Sequence, residues 1–116
     1  KRLIKVSGNT ALATDIEAVC DSLPYVEKSY AIAIPDKLRQ NAVKLYVAIK
    51  EDTDISDPSK MISEMNELYK NSMAPWSRPV KIVLCRDRDI PRTAMTKIAW
   101  GKLGKDGIEG EENGNI

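Results

Sequence analysis

Tyr30-Ala-Ile-Ala-Ile34, stopped by Pro35-Asp36 and followed after a polar loop by Val43-Lys-Leu-Tyr-Val-Ala-Ile49, decides the fold. The first run is apolar on both faces, the pattern of a strand buried on both sides. In the second, Val43, Leu45, Val47 and Ile49 alternate with Lys44, Tyr46, Ala48 and Lys50, which predicts one packed face and one partly wet face. Upstream, residues 14–23 read as a helix. Thr14 and Glu17 have the spacing of a capping box, Ile16, Val19, Cys20 and Leu23 form one buried stripe, and Pro24 stops the run. Before it, Leu3, Ile4 and Val6 end at Ser7-Gly8-Asn9, which reads as one arm of a small hairpin whose turn uses Gly8.

Downstream, Asp57-Pro58 opens a second helix with Asp57 as N-cap and Pro58 at the first helical position. Met61, Ile62, Met65, Leu68 and Tyr69 give that helix its buried stripe. Two prolines keep Ala74 to Pro79 from being helical, Val80 to Cys85 is a third strand, and Arg86 to Thr96 reads as loop. A short last helix is expected within Lys97 to Leu103. The alternation is irregular, which predicts an α+β fold: a small hairpin followed by a three-stranded sheet packed with helices, two layers in a single small domain over residues 1–103. From Gly104 the chain is rich in Gly, Glu and Asn without periodicity, so residues 104–116 are expected to be a disordered tail or linker.

Composition narrows the function classes. The 116 residues are 42% apolar and 30% charged, as in soluble globular domains. There is no histidine, which excludes His-based acid–base catalysis and most zinc sites. Cys20 and Cys85 sit in apolar patterns and read as two reduced core thiols of a cytoplasmic protein. The net charge is +1, with no phenylalanine and no aromatic pair on a central strand, which argues against an RNA-binding α+β domain. From Arg78 to Lys97 there are six basic residues against two acids, just ahead of an acidic end. Lys1, rather than Met, opens the chain, which reads as a piece of something longer.

Four stretches, in order and spacing, resemble the C-terminal domain of adenylate-forming (AMP-binding) enzymes of the acyl-CoA synthetase and ligase superfamily. Leu3-Ile-Lys-Val-Ser-Gly8 is similar to the family's Ile-Lys-x-x-Gly stretch after its interdomain hinge. Ala13-Thr-Asp-Ile-Glu17 is similar to its Pro-x-Glu-Ile-Glu helix start. Val26 to Asp36, running on to Val47, resembles its first strand, Pro-Asp turn and second strand. Ile90-Pro-Arg-Thr-Ala-Met-Thr-Lys-Ile98 resembles Leu-Pro-(Arg/Lys)-Thr-x-x-Gly-Lys-Ile. The resemblance covers residues 1–103, and agreement of four stretches with independent element readings is what gives it weight.

The resemblance implies an ATP-dependent, AMP-forming carboxylic acid–CoA ligase. Lys97 matches the catalytic loop lysine, whose ammonium offsets the repulsion as a carboxylate attacks the α-phosphate of ATP. Lys5 and Gly8 match residues of an opposite face used in thioester formation with coenzyme A. Arg92 and Thr93 flank the lysine loop and are carried over as cofactor-binding, and Lys1 falls at the hinge. ATP with Mg²⁺ and coenzyme A would be bound mainly by the N-terminal adenylation domain, which is missing from the chain and is its implied partner. The chain alone is then expected to have little activity. No metal ligands are read in it. Arg78, Arg86 and Arg88, with Arg92, are candidates for steering phosphates, while Trp76 and Trp100 read as packing residues.

The chain departs from the family pattern at Met95-Thr96, where a glycine usually precedes the lysine, and at Gln40, read as a loop change. Two other functions remain open at this point: a binding module that has kept the fold, and an adenylation partner that loads a carrier-protein thiol.

Overall fold

The computed structural model describes residues 2–109 and 111. Lys1, assigned to the hinge, lies outside the described residues, as do residues 110 and 112–116 of the expected tail. The element order is β1 (Leu3–Val6), β2 (Asn9–Leu12), α1 (Ala13–Asp21), β3 (Val26–Asp36), β4 (Gln40–Ile49), α2 (Pro58–Ser72), β5 (Pro79–Cys85) and α3 (Trp100–Asp106). Strands β1 and β2 form a two-stranded antiparallel hairpin, and β3-β4-β5 form a three-stranded sheet, which bears out the expected α+β architecture.

Each element follows from local chemistry. Ser7 and Gly8 both have positive φ (52° and 82°) and join Val6 to its partner Asn9, the two-residue turn that matches strand twist. Asp57 accepts the Lys60 amide at 3.2 Å and Pro58 opens α2, as expected. Arg78 donates to the carbonyls of Met73 and Lys70, closing the C-terminal end of α2 with a cation. Strand β4 pairs antiparallel with β3 across the short turn Asp36–Gln40, and parallel with β5 through the α2 crossover.

The sheet has two filled faces. On one, Ala31, Val43, Leu45, Val47, Ile49, Ile82 and Leu84 meet Ile16 and Cys20 of α1, Ile62, Met65 and Tyr69 of α2, and Ile4, Val6 and Ala11 of the β1–β2 hairpin. On the other, Tyr30, Ile32, Tyr46, Ala48, Val83 and Cys85 are covered by Ile90, Ile98, Trp100, Leu103 and Ile108. The partly wet face expected for β4 is therefore closed. Tyr46 and Ala48 are fully buried because the chain after β5 folds back over them.

Three other expectations change. The Thr14–Glu17 capping box does not form: Leu12 is the N-cap and no side chain caps the helix, because Glu17 points inward instead. The last helix starts at Trp100 rather than Lys97 and runs to Asp106, so the expected tail boundary at Gly104 is overturned for the described residues. Glu111 also turns back onto the sheet. It accepts from Lys44 Nζ at 2.5 Å, the Tyr46 hydroxyl at 2.7 Å and the Ile108 amide at 3.2 Å. Burial alone would raise the Glu111 pKa, but the hydrogen bonds from Lys44 and Tyr46 outweigh it and hold the carboxyl below its usual range. Gly107, at φ 70°, makes room for this: a Cβ there would lie 2.4 Å from Glu111 Oε1 and 3.1 Å from the Tyr46 hydroxyl.

Both cysteines are free and buried. Burial, with Asp21 alongside, pushes the Cys20 thiol from 9.0 to about 12. Burial, with Asp89 and Asp87 nearby, pushes Cys85 to about 12 as well. Tyr30, Tyr46 and Tyr69 are raised too, again mainly by burial. The folded chain thus keeps protons that the unfolded chain releases. The associated stability is complete below the unfolded thiol value of 9.0 and is lost as pH rises toward about 12. Each thiol adds a slope of at most about 1.4 kcal/mol per pH unit in that window. The urea midpoint should hold steady from pH 7 to 8.5 and fall steadily between pH 9 and 11. A flat profile to pH 11 would show that the thiols titrate alike in both states.

Candidate functional site: an anchored lysine hairpin

After β5, a 3-10 turn at Asp87–Asp89 leads into the segment that carries Lys97. This segment, expected to be loop, is a small hairpin. Arg92 bridges to Ile98, Ala99 N donates to the Pro91 carbonyl (2.9 Å), and Thr93 N donates to the Lys97 carbonyl (2.7 Å). Thr96 N donates to the Thr93 carbonyl (2.9 Å), which closes the tip Ala94-Met95-Thr96. A tight turn followed by one residue at positive φ is the common three-residue hairpin loop. Thr96, at φ 63°, occupies that left-handed place, and Met95 is 77% exposed at the apex. Lys97 follows Thr96 directly and is exposed, and its ammonium has no hydrogen-bond or ion-pair partner among the described residues.

The stem is fixed to the sheet by Ile90, Ile98 and Trp100. It is also tied by Arg92, whose guanidinium donates to the Asp87 carboxylate (2.8 Å), the Asp87 carbonyl (2.9 Å) and the Ile90 carbonyl (3.2 Å), and lies 3.5 Å from the Tyr30 hydroxyl. The Tyr30 hydroxyl in turn donates to Asp87 at 2.6 Å. Thr93 Oγ1 accepts the Met95 amide at 3.3 Å. The structure thus engages Arg92 in anchoring the stem to Asp87 and Tyr30, and Thr93 in closing the tip.

The left-handed geometry explains why glycine suits the position before the lysine: a β-branched residue there is strained. Gln40 has the same left-handed backbone, at φ 74°, a conformation that glycine adopts without strain. Replacing Thr96 by Gly should relieve about 1–2 kcal/mol of left-handed strain, less about 0.5–1 kcal/mol for the greater freedom of glycine in the unfolded chain. Thr96→Gly is therefore expected to raise stability by about 0.5–1 kcal/mol in urea unfolding. A loss of stability would show that the Thr96 side chain holds the tip by more than its hydroxyl bond to the Met95 carbonyl (2.6 Å).

Lys5 and Gly8 lie elsewhere. Lys5 is exposed on β1 opposite Thr10, and Gly8 is exposed in the β1–β2 turn with nothing within 4 Å of where a Cβ would stand. Their hairpin packs on the α1–α2 side of the sheet, whereas the Lys97 hairpin packs on the other side. The sheet brings neither Lys5 nor Gly8 to Lys97. The other arginines proposed to steer phosphates are dispersed: Arg78 on the end of α2, Arg86 on the Ile49 and Lys50 carbonyls, Arg88 on Glu51. An open cleft of about 590 Å³ beside the stem sets Arg88, Arg92 and Lys102 among Asp89, Asp106 and Glu109. Its mixed charge does not make a phosphate cradle. Trp100 packs as expected, but Trp76 is 40% exposed.

Sequence reasoning missed a second centre. Arg2 forks onto Glu17, Nη1 to Oε2 at 2.8 Å and Nη2 to Oε1 at 2.6 Å, and its guanidinium lies over the Trp100 ring at 3.9 Å from the centroid. Glu17 Oε2 also accepts the Ala31 amide at 2.8 Å, and Asp21 accepts the Ser29 amide at 2.8 Å. The outer edge of β3 is thereby closed by two carboxylates one helical turn apart. The available signal was the run Ala13, Glu17, Cys20, which places a carboxylate in a buried i, i+4, i+7 stripe.

The model describing the AMP-binding enzyme C-terminal domain matches residues 15–97. The chain belongs to this family. Among its relatives, the mitochondrial acyl-coenzyme A synthetase ACSM3 of Homo sapiens is 28% identical over 103 residues, covering 89% of this chain and 17% of that protein. Acetyl-coenzyme A synthetase 1 of Candida albicans is 31% identical over 112 residues, covering 96% and 16%. Among solved structures, apo MatB from Rhodopseudomonas palustris superposes with a TM-score of 0.76 at 22% identity, covering 90% of this chain and 20% of that one, which supports the fold. The chain spans about one sixth of the length of these curated relatives. As an AMP-binding enzyme C-terminal domain, it carries Lys97 one residue past an exposed tip, on a stem packed against the sheet.

Proposed function

We propose that this chain is the mobile C-terminal domain of an ATP-dependent, AMP-forming carboxylic acid–CoA ligase, and that Lys97 is its adenylation lysine. The observation that carries the reading is the anchored hairpin. Lys97 stands exposed, without an internal counter-charge among the described residues, one residue past the tip of a stem tied to the sheet.

Such an ammonium reaches across to an adjoining adenylation domain when the two close. It then meets negative charge building on the α-phosphate oxygens as the carboxylate attacks and pyrophosphate leaves. Closure also excludes water that would hydrolyse the acyl-adenylate. Lys5 and Gly8, on the far side of the sheet, are the candidates for the thioester step with coenzyme A, which requires the domain to turn. Among the described residues no three His, Cys, Asp or Glu side chains converge on a metal position, so Mg²⁺ would enter with the ATP phosphates and the adjoining domain.

The test is ATP–pyrophosphate exchange by the natural protein with a panel of carboxylic acids, followed by addition of coenzyme A or a carrier-protein thiol. Exchange with an acid, then a CoA thioester, is the expected result. Thioester formation only on a carrier protein would correct the acceptor. Absence of exchange with every acid would favour a binding module that has kept the fold.

A further inference from the structure

We propose that Arg2 is a positioning residue that clamps the start of the chain to the segment following Lys97, so that the Lys97 hairpin moves as one rigid body with the backbone at residue 2. One guanidinium joins three elements. It forks onto Glu17 of α1, donates to the Ala31 carbonyl on the edge of β3 (3.2 Å), and stacks on Trp100, the first residue of α3. The Arg2 carbonyl accepts the Ala13 amide at 3.0 Å, which ties the beginning of β1 to the beginning of α1.

The path continues to the hairpin. Trp100 packs on Tyr30 with ring centroids 5.9 Å apart, and Tyr30 joins the Asp87–Arg92 pair that anchors the stem. The residues beside it are less covered: Leu3 is 53% exposed, and Ile4 is the first buried residue among those described. Glu17 is 5% exposed, so its carboxylate depends on the Arg2 charge and the Ala31 amide. Lysine cannot replace arginine here, because an ammonium makes neither the planar fork nor the flat stack. The inference rests on the proposed function for its consequence: with the hinge at Lys1, the clamp would confine backbone rotation to the residue before Arg2 and deliver it undamped to Lys97.

The experiment compares the natural full-length protein with its Arg2→Lys and Glu17→Gln variants, by amide hydrogen exchange and by ATP–pyrophosphate exchange. Peptides covering residues 90–100 should exchange about tenfold faster in both variants, while peptides covering residues 43–49 stay protected, a gap that separates loosening from global unfolding. The upfield ring-current shift of the Arg2 side-chain protons over Trp100 should vanish from the Glu17→Gln spectrum. In the adenylation assay, kcat should fall about tenfold with KM for ATP within twofold, since substrate binding is untouched. Unchanged exchange over residues 90–100 in both variants would overturn the clamp. Faster exchange there with an unchanged kcat would overturn its coupling to Lys97. If the parent protein adenylates no acid, the functional reading fails, and the hydrogen-exchange comparison still decides the clamp.

Discussion

Lys97→Ala is expected to slow acyl-adenylate formation by about 10²–10³, the size of effect seen when one preorganised donor to a developing oxyanion is removed. The Lys97 side chain is exposed and has no hydrogen-bond or ion-pair partner among the described residues, so stability should change by less than about 0.5 kcal/mol. That separation makes the variant informative: lost rate with an unchanged urea midpoint is a chemical effect. Thioester formation from a supplied acyl-adenylate should stay within a few-fold of the parent rate, because the Lys97 hairpin and the Lys5–Gly8 turn belong to opposite sides of the sheet. Exchange that survives the substitution would remove Lys97 from the mechanism. Equal losses in both half-reactions would mean that the variant damages domain movement.

Glu17→Ala is expected to cost about 3 kcal/mol, because it leaves the Ala31 amide without its acceptor and Arg2 without its counter-charge. In a small domain with a urea slope of about 1.5 kcal/mol per molar, the midpoint should fall by about 2 M. The exposed Arg88–Glu51 pair gives the contrast. Its side chains are 67% and 64% exposed, so Glu51→Ala should cost less than about 1 kcal/mol. Equal midpoints for the two variants would show that the Arg2–Glu17 fork is no more than a surface contact.

What was legible in the sequence was what repeats locally. The alternation over Val43–Ile49, the stripe from Met61 to Tyr69 and the Asp57-Pro58 start each read correctly because neighbours in the chain decide them. The closed second face of β4 was not legible. Its cover comes from Ile90, Ile98, Trp100 and Leu103, more than forty residues downstream. Glu17 was misread for the same reason: its local spacing fits a helix cap, while its actual partner is Arg2, 15 residues away. Gln40 and Thr96 hide their left-handed backbone because neither is the residue type that announces it. Lys97 was singled out by four stretches in register, whereas the hairpin that carries it reads as loop in the sequence and is visible only in three dimensions.

The mixed sheet also sets an order of events in folding. Strands β3 and β4 meet across a turn of three residues, Lys37 to Arg39, while β4 and β5 meet only after the chain has run through all of α2. Closing the short loop costs little entropy and the long one more, so the β3–β4 pair is the natural nucleus and β5 docks later. Substitutions at Ala31, Leu45 or Val47 should then slow refolding. Changes in the Lys97 hairpin or α3, which lie on a face completed only after β5 has docked, should leave refolding nearly untouched and speed unfolding instead.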